Sequence, residues 1–120
     1  MSASVFNVAI DCVDPYELAQ FWSGVTGRPV SPDCVPGAAE TSIDLGGLNL
    51  YFQRVPELRR GKNRVHVCLR PDQLRDVEVE RVRALGATLV ADHRKPHGRG
   101  WVVLADPEGN EFCMLRHDIS

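Results

Sequence analysis

The chain has 120 residues, 43% of them hydrophobic and 25% charged, with a formal net charge of −2. That length suffices for one domain with its own core, and the composition is that of an ordinary globular protein rather than a disordered one. Without a basic surplus to meet phosphates, nucleic acid is not an expected partner; with no apolar run near bilayer length, neither is a membrane.

Val5 to Val13 alternates as a half-buried strand does: Val8, Ile10 and Cys12 point one way, and Asn7, Ala9 and Asp11 the other. A helix follows. Asp14 suits the N-cap, Pro15 the first turn and Glu17 the capping-box position, while Leu18, Phe21, Trp22 and Val25 form the apolar stripe. On such a stripe Trp22 is read as core. Gly27 suits a left-handed C-cap, and Pro29 discourages continuation. Residues 31–40, rich in Pro, Gly and Ala, read as a loop. Thr41 to Leu45 and Leu48 to Val55 read as strands joined at Gly46-Gly47, with Leu50 and Phe52 towards the helix and Tyr51 and Gln53 away from it.

Pro56 to Lys62 is a charged linker. From Asn63 the pattern starts again. Val65, Val67 and Leu69 oppose His66, Cys68 and Arg70, and Asp72 to Leu85 is predicted to be a helix with the stripe Leu74, Val77, Val82 and Leu85, closed by Gly86. Thr88 to Ala91 and Gly100 to Ala105 read as strands around a loop carrying His93 and His97, which are expected to lie in solvent. Asp106 to Asn110 is a turn, to which no chemistry is assigned. In the last strand, Glu111 to Arg116, Phe112 and Met114 face the helix, and Glu111, Cys113 and Leu115 face away.

The chain is therefore built twice. One offset sets Asn7 on His66 and Gly27 on Gly86, and one residue more sets Gln53 on Cys113. The expected fold is α+β, a single domain of two βαβββ modules, the first over about residues 5–55 and the second over about 63–117, with helices on one face of each sheet. Ala9, Cys68, Trp101, Val103, Cys113 and Leu115 are too apolar for an open surface on the other face, which points to a semi-enclosed cavity. The opening MSASVFNVAIDC has neither the basic nor the apolar segment of a secretory signal, so a cytoplasmic location is expected, with Cys12, Cys34, Cys68 and Cys113 reduced. Their spacing forms no zinc-finger pattern.

NVAIDCVDPYELAQFWSGVTG at the start, HVCLRPDQL at the second strand, ALGA at the helix end and WVVLADPEGNEFCML near the C-terminus resemble the vicinal oxygen chelate superfamily, the glyoxalase, bleomycin-resistance and extradiol-dioxygenase group, and within it the glyoxalase-like branch. The resemblance runs from about Val5 to Arg116. It implies curved mixed sheets around a cleft, and pairing of chains as homodimers, in some relatives by swapping modules. In metal-dependent members, four strand positions supply His and carboxylate ligands. Those positions correspond here to Asn7, Gln53, His66 and Cys113, of which only His66 is a usual ligand type; neutral amides are weak ligands for such metals.

Two readings of the site follow. In the first, the cavity binds a small molecule without a metal. Asn7, Gln53 and His66 supply hydrogen bonds, Tyr51 and Trp101 stack on a planar group, Asp11 and Arg70 fix charge, and Cys68 and Cys113 line the wall. Metal-free relatives sequester antibiotics in this way. In the second, the protein is a lyase- or isomerase-type enzyme with His66 as general base and Cys113 as acid, nucleophile or ligand, with or without a divalent metal. No cofactor is expected, although His66, Cys68 and Cys113 leave room for a soft metal such as zinc.

Overall fold

In the computed structural model of the protein, which describes residues 1–119, the elements run β1 (Asn7–Cys12), α1 (Pro15–Thr26), β2 (Glu40–Asp44), β3 (Asn49–Arg54), β4 (Val67–Leu69), α2 (Arg75–Ala84), β5 (Thr88–Asp92), β6 (Val102–Ala105) and β7 (Glu111–Met114). The fold is α+β, with a three-stranded sheet ordered β1-β3-β2 and a four-stranded sheet ordered β4-β7-β6-β5. The chain divides into two compact units after Arg59, one sheet and one helix in each.

In the first unit, Asp14 caps α1 from an extended backbone, its Oδ1 accepting from the Glu17 N–H at 3.2 Å. Pro15 loses no hydrogen bond there, because the first-turn N–H groups have no intrahelical acceptor. The helix stops at Gly27, whose φ of 71° is left-handed and whose N–H reaches the Ser23 carbonyl at 2.9 Å. Leu18, Ala19, Phe21, Trp22 and Val25 are buried on α1, with Ile43, Leu50 and Phe52 buried on the sheet it covers. Trp22 is thus core, with the Phe21 ring edge-on to it at 5.4 Å. After α1 the chain enters the sheet at its far edge as β2. It turns at Gly46-Gly47, both at positive φ, and returns between β1 and β2 as β3, parallel to β1. What would be a fourth strand of this module is reduced to one bridge, Val30 to Ile43. Pro29 and Pro32 on either side of it cannot donate to a ladder.

The second unit repeats the route with its fourth strand complete: β5 forms the far edge, and β7 returns beside β4 and parallel to it. Two expectations change here. β4 spans only Val67–Leu69, so Val65 and His66 precede the strand instead of belonging to it. The second helix starts at Arg75 rather than Asp72, without a side-chain cap, and its buried face is Arg75, Glu78, Val79 and Val82. Of the expected stripe only Val82 is buried; Leu74 is 63% exposed and Val77 51%. The true face is rotated by roughly a quarter-turn at about 100° per residue. It includes two charged side chains because both are satisfied. Arg75 donates to the Gly98 and Gly100 carbonyls at 2.6 and 2.9 Å, and Glu78 accepts two hydrogen bonds from Arg81, each 2.7 Å, and one from Gln73 at 2.9 Å. Those partners hold the Glu78 carboxyl below its ordinary range, the Arg81 hydrogen bonds being the largest cause.

The loop between β5 and β6 is consequently fastened. Besides Arg75, the Arg94 guanidinium grips Asp92 through Nε and Nη2, at 2.9 and 2.5 Å, and also pairs with Asp76. The turn before β7 is built on the buried Asp106, whose Oδ1 accepts from the Glu108 and Asn110 N–H groups, both at 2.9 Å. No helix among the described residues is long and apolar enough to cross a membrane.

Two predictions come from this loop. Gly100 has φ of 98°, and a Cβ there would sit 2.2 Å from the His93 carbonyl oxygen, whereas one at Gly27 would meet nothing within 4 Å. Gly27→Ala is expected to cost about 1 kcal/mol, the strain of the left-handed backbone alone. Gly100→Ala adds a backbone clash and is expected to cost at least about 2 kcal/mol, read as the difference between the two urea midpoints. The second concerns Asp92, whose carboxyl Arg94 lowers from 3.8 to about 2, chiefly through the side-chain hydrogen bonds. A depressed folded value means that the pair's stabilisation is complete above pH 3.8 and is lost as pH falls towards 2. Arg94→Ala should move the NMR titration of Asp92 back towards its ordinary range; an unmoved midpoint would refute the pairing.

Candidate functional site

Each sheet gives one face to a helix, so the alternate residues emerge on the face that the helix leaves bare. In the first unit, Val8 and Ile10 of β1 and Leu50 and Phe52 of β3 lie on the α1 side. The parallel register then aligns Asn7 with Asn49, Ala9 with Tyr51 and Asp11 with Gln53 on the other. Gln53 Nε2 donates to Asp11 Oδ1 at 2.7 Å, and the Tyr51 hydroxyl donates to Glu40 Oε2 at 2.5 Å. That bond raises the Tyr51 phenol above its ordinary value, with smaller contributions from burial and from the Glu40 charge. Asn7, Asp11, Tyr51 and Gln53 therefore share one polar face. Glu40 belongs with them and escaped the sequence reading, because only the β2–β3 register brings it beside Gln53 and within reach of Tyr51.

The bare face of the second sheet is more apolar. Cys68, Cys113, Val103 and Ala91 form one row across β4, β7, β6 and β5. Cys113 is only 6% exposed, whereas Cys68 is open to solvent. Burial pushes the Cys113 thiol up, and the neighbouring Cys68 thiol, in hydrogen-bonding reach, pushes it further. The thiolate form of Cys113 is thus disfavoured, and of the two cysteines the open Cys68 is the more accessible to attack an external partner. His66 and Arg70 flank β4 and are exposed, with Arg70 Nη1 on the Ile119 carbonyl at 3.2 Å. Trp101 lies just before β6 rather than within it and is 42% exposed. Its ring leans on the His93 imidazole at 5.3 Å and 41°, and the His93 N–H donates to the Trp101 carbonyl at 2.9 Å. His93 is exposed, as expected, and its ring also pairs with Trp101 at the mouth of the β5–β6 hairpin. Val103 of β6 pairs directly with Cys113, and Trp101 stands two residues before Val103, one diagonal step along the sheet from Cys113.

A groove of about 470 Å³ in the second unit is lined by residues of α2, the β5–β6 loop and the C-terminal segment, including Leu74, Arg75, Arg94 and Arg116. None of the residues expected to bind a ligand lines it.

The donor set of the expected chelate position does not suit a catalytic divalent metal. It comprises one imidazole, two neutral amides, one of them tied to Asp11, and a thiol that resists deprotonation, where three His, carboxylate or thiolate ligands are the rule. Among the described residues there is no group of three or more His, Cys, Asp or Glu arranged to hold a metal ion.

The fold has many solved counterparts. A glyoxalase/bleomycin resistance protein/dioxygenase family enzyme from Burkholderia phytofirmans PsJN superposes with a TM-score of 0.73 at 22% identity, covering 93% of this chain and 97% of its own. Lactoylglutathione lyase from Agrobacterium tumefaciens gives 0.66 at 19% identity over 95% and 93% of the two chains. A mutant of the fosfomycin resistance protein FosX from Listeria monocytogenes, complexed with Mn(II) and 1S,2S-dihydroxypropylphosphonic acid, gives 0.72 at 16% identity over 96% and 90%. At these identities the likeness is one of fold. No curated protein sequence matches the chain. The sequence model of the glyoxalase-like domain matches residues 7–115, nearly the whole chain, and the protein belongs to that family.

Proposed function

We propose that the chain is a small-molecule-binding glyoxalase-like protein whose chelate position has become degenerate, and that the helix-free faces of its sheets are its ligand-binding surfaces. The observation that carries this reading is the Gln53–Asp11 hydrogen bond. It commits the amide N–H to a carboxylate and leaves the Gln53 carbonyl and Asp11's second oxygen to meet a polar ligand, with the Asn7 amide further along the same face. Tyr51 adds a phenolic oxygen and Trp101 a half-open ring on which a planar or apolar group can lie. His66 adds an imidazole and Arg70 a cation. A cytoplasmic homodimer fits the family's habits, with sedimentation the check on the dimer.

The catalytic alternative has one observation in its favour. A thiol raised by burial suits Cys113 to the role of acid rather than of metal thiolate, with His66 as the base.

The test is stabilisation of the protein by compounds from a small-molecule library, followed by variants. A ligand at 100 times its dissociation constant should add about 2.7 kcal/mol of stability. Gln53→Ala and Asp11→Ala should each weaken that ligand about tenfold, or about 1.4 kcal/mol. Ligands that bind all variants equally well would sink the proposed surface. Mn(II) alone should leave the melting temperature unchanged; stabilisation by Mn(II) that His66→Ala abolishes would restore the metal reading.

A further inference from the structure

Two of the four cysteines are side by side. Cys68 and Cys113 stand directly opposite each other in the parallel β4–β7 pair. Val67 and Leu69 are half-buried on β4, while Phe112 and Met114 are buried on β7, so alternation sends both cysteine side chains to the bare face. Neighbouring strands lie about 4.8 Å apart, inside the roughly 4.4–6.8 Å between Cα atoms that a disulfide spans. Cys12 and Cys34 belong to the other unit, where Cys34 instead accepts from Gln20 Nε2 at 3.7 Å.

We propose that Cys68 and Cys113 form a reversible dithiol–disulfide couple that exchanges with a low-molecular-weight disulfide. Exposure decides the order of events. Cys68, open to solvent, loses its proton and attacks one sulfur of the small disulfide. Its S–S bond breaks, one half leaves as a thiolate and the other stays on Cys68 as a mixed disulfide. Cys113, shielded but adjacent, then loses its proton and attacks Cys68 Sγ, expelling the second half as a thiolate. The protein has given up two protons and two electrons; the small disulfide has taken the electrons, and its two thiolates take up the protons to become thiols. A bridge between directly paired strands sits near the short end of the Cα range, so it is strained, readily reduced and suited to a switch rather than a permanent staple. β4 is an edge strand of three residues with its one ladder to β7. The bridge fastens that strand covalently and removes both S–H groups from the bare face.

The experiment uses the full chain, reduced and then equilibrated in glutathione buffers of increasingly oxidising ratio, quenched, alkylated and mapped by mass. The expected wild-type product lacks two hydrogens, carries no glutathione, yields a cross-linked peptide joining Cys68 to Cys113, and returns to the dithiol with dithiothreitol. Cys113→Ser should stop at glutathione on Cys68. The proposal fails if wild type holds glutathione at Cys68 with Cys113 still alkylatable, or if both cysteines remain alkylatable at the most oxidising ratio. These wild-type outcomes decide the matter even if Cys113→Ser folds poorly. Ligand affinity is not part of the readout, so either reading can fall without the other.

Discussion

Everything distinctive about this protein depends on a helix crossing one face of each sheet. In both units a strand is followed by a helix, and the last strand returns beside the first and parallel to it. A parallel pair requires such a crossover, and the crossover covers one face only. Once α1 has committed Leu50 and Phe52 to the core, Tyr51 and Gln53 have to emerge on the other side, beside Ala9 and Asp11. The same step in the second unit commits Phe112 and Met114 and leaves Cys113 beside Cys68. A one-residue slip in either register would exchange the two sets. The residues available for chemistry are therefore selected by packing, and the chain spells out that selection twice.

This is why the sheet faces were legible in the sequence. Period-two alternation is a strong signal when one set is Leu, Phe and Met and the other is Gln, Tyr and Cys. The start of α1 was legible for a related reason, since Asp14, Pro15 and Glu17 each suit one position at a helix N-terminus and no other local structure so well. The second helix was not. Its buried face contains Arg75 and Glu78, and their burial depends on carbonyls at Gly98 and Gly100 and on Arg81 and Gln73, partners that hydrophobic periodicity does not register. Leu74 and Val77 supplied a more apolar stripe that the structure leaves open. The exposure of His93 was legible but its pairing with Trp101 was not, because a histidine in a Gly- and Pro-rich loop carries no local sign of a tryptophan eight residues on; the antiparallel β5–β6 hairpin creates that proximity. Glu40 was overlooked for the same reason, as its meeting with Tyr51 exists only in the sheet.

The charged loop shows how side chains do work that the backbone alone could not. Gly98 and Gly100 take positive φ, which costs a glycine little but leaves their carbonyls without ladder partners. A guanidinium answers two carbonyls at once because its donors are fixed in a fork. Arg75 does this from the first turn of α2, where a cation is ordinarily unfavourable. Burial lowers its pKa and the nearby Arg94 lowers it further, with Asp76 and Asp92 opposing. The arrangement stands because the hydrogen bonds to the two carbonyls outweigh that adverse field. Trp101 is positioned through the loop so fixed, with Gly100 directly before it.

The protonation of the bare faces bears most directly on what the protein can recognise. Tyr51 and Cys113 are both pushed away from losing a proton and becoming anionic ligands, Tyr51 by its hydrogen bond to Glu40 and Cys113 by burial, which leaves Cys68 as the open thiol. Asp11, the carboxylate on β1, already shares an oxygen with Gln53. On the face of the first sheet a divalent cation would compete with the Gln53 amide for Asp11 and otherwise meet neutral oxygens. An uncharged polar molecule faces neither cost, because the amides and the phenol of that face meet it by hydrogen bonding as they stand. The scaffold is that of the glyoxalase-like family, and in the reading proposed above its polar face serves hydrogen bonding rather than chelation; that difference in electrostatics, more than any one ligand residue, is what sets the proposed ligand class apart from a metal-bound one.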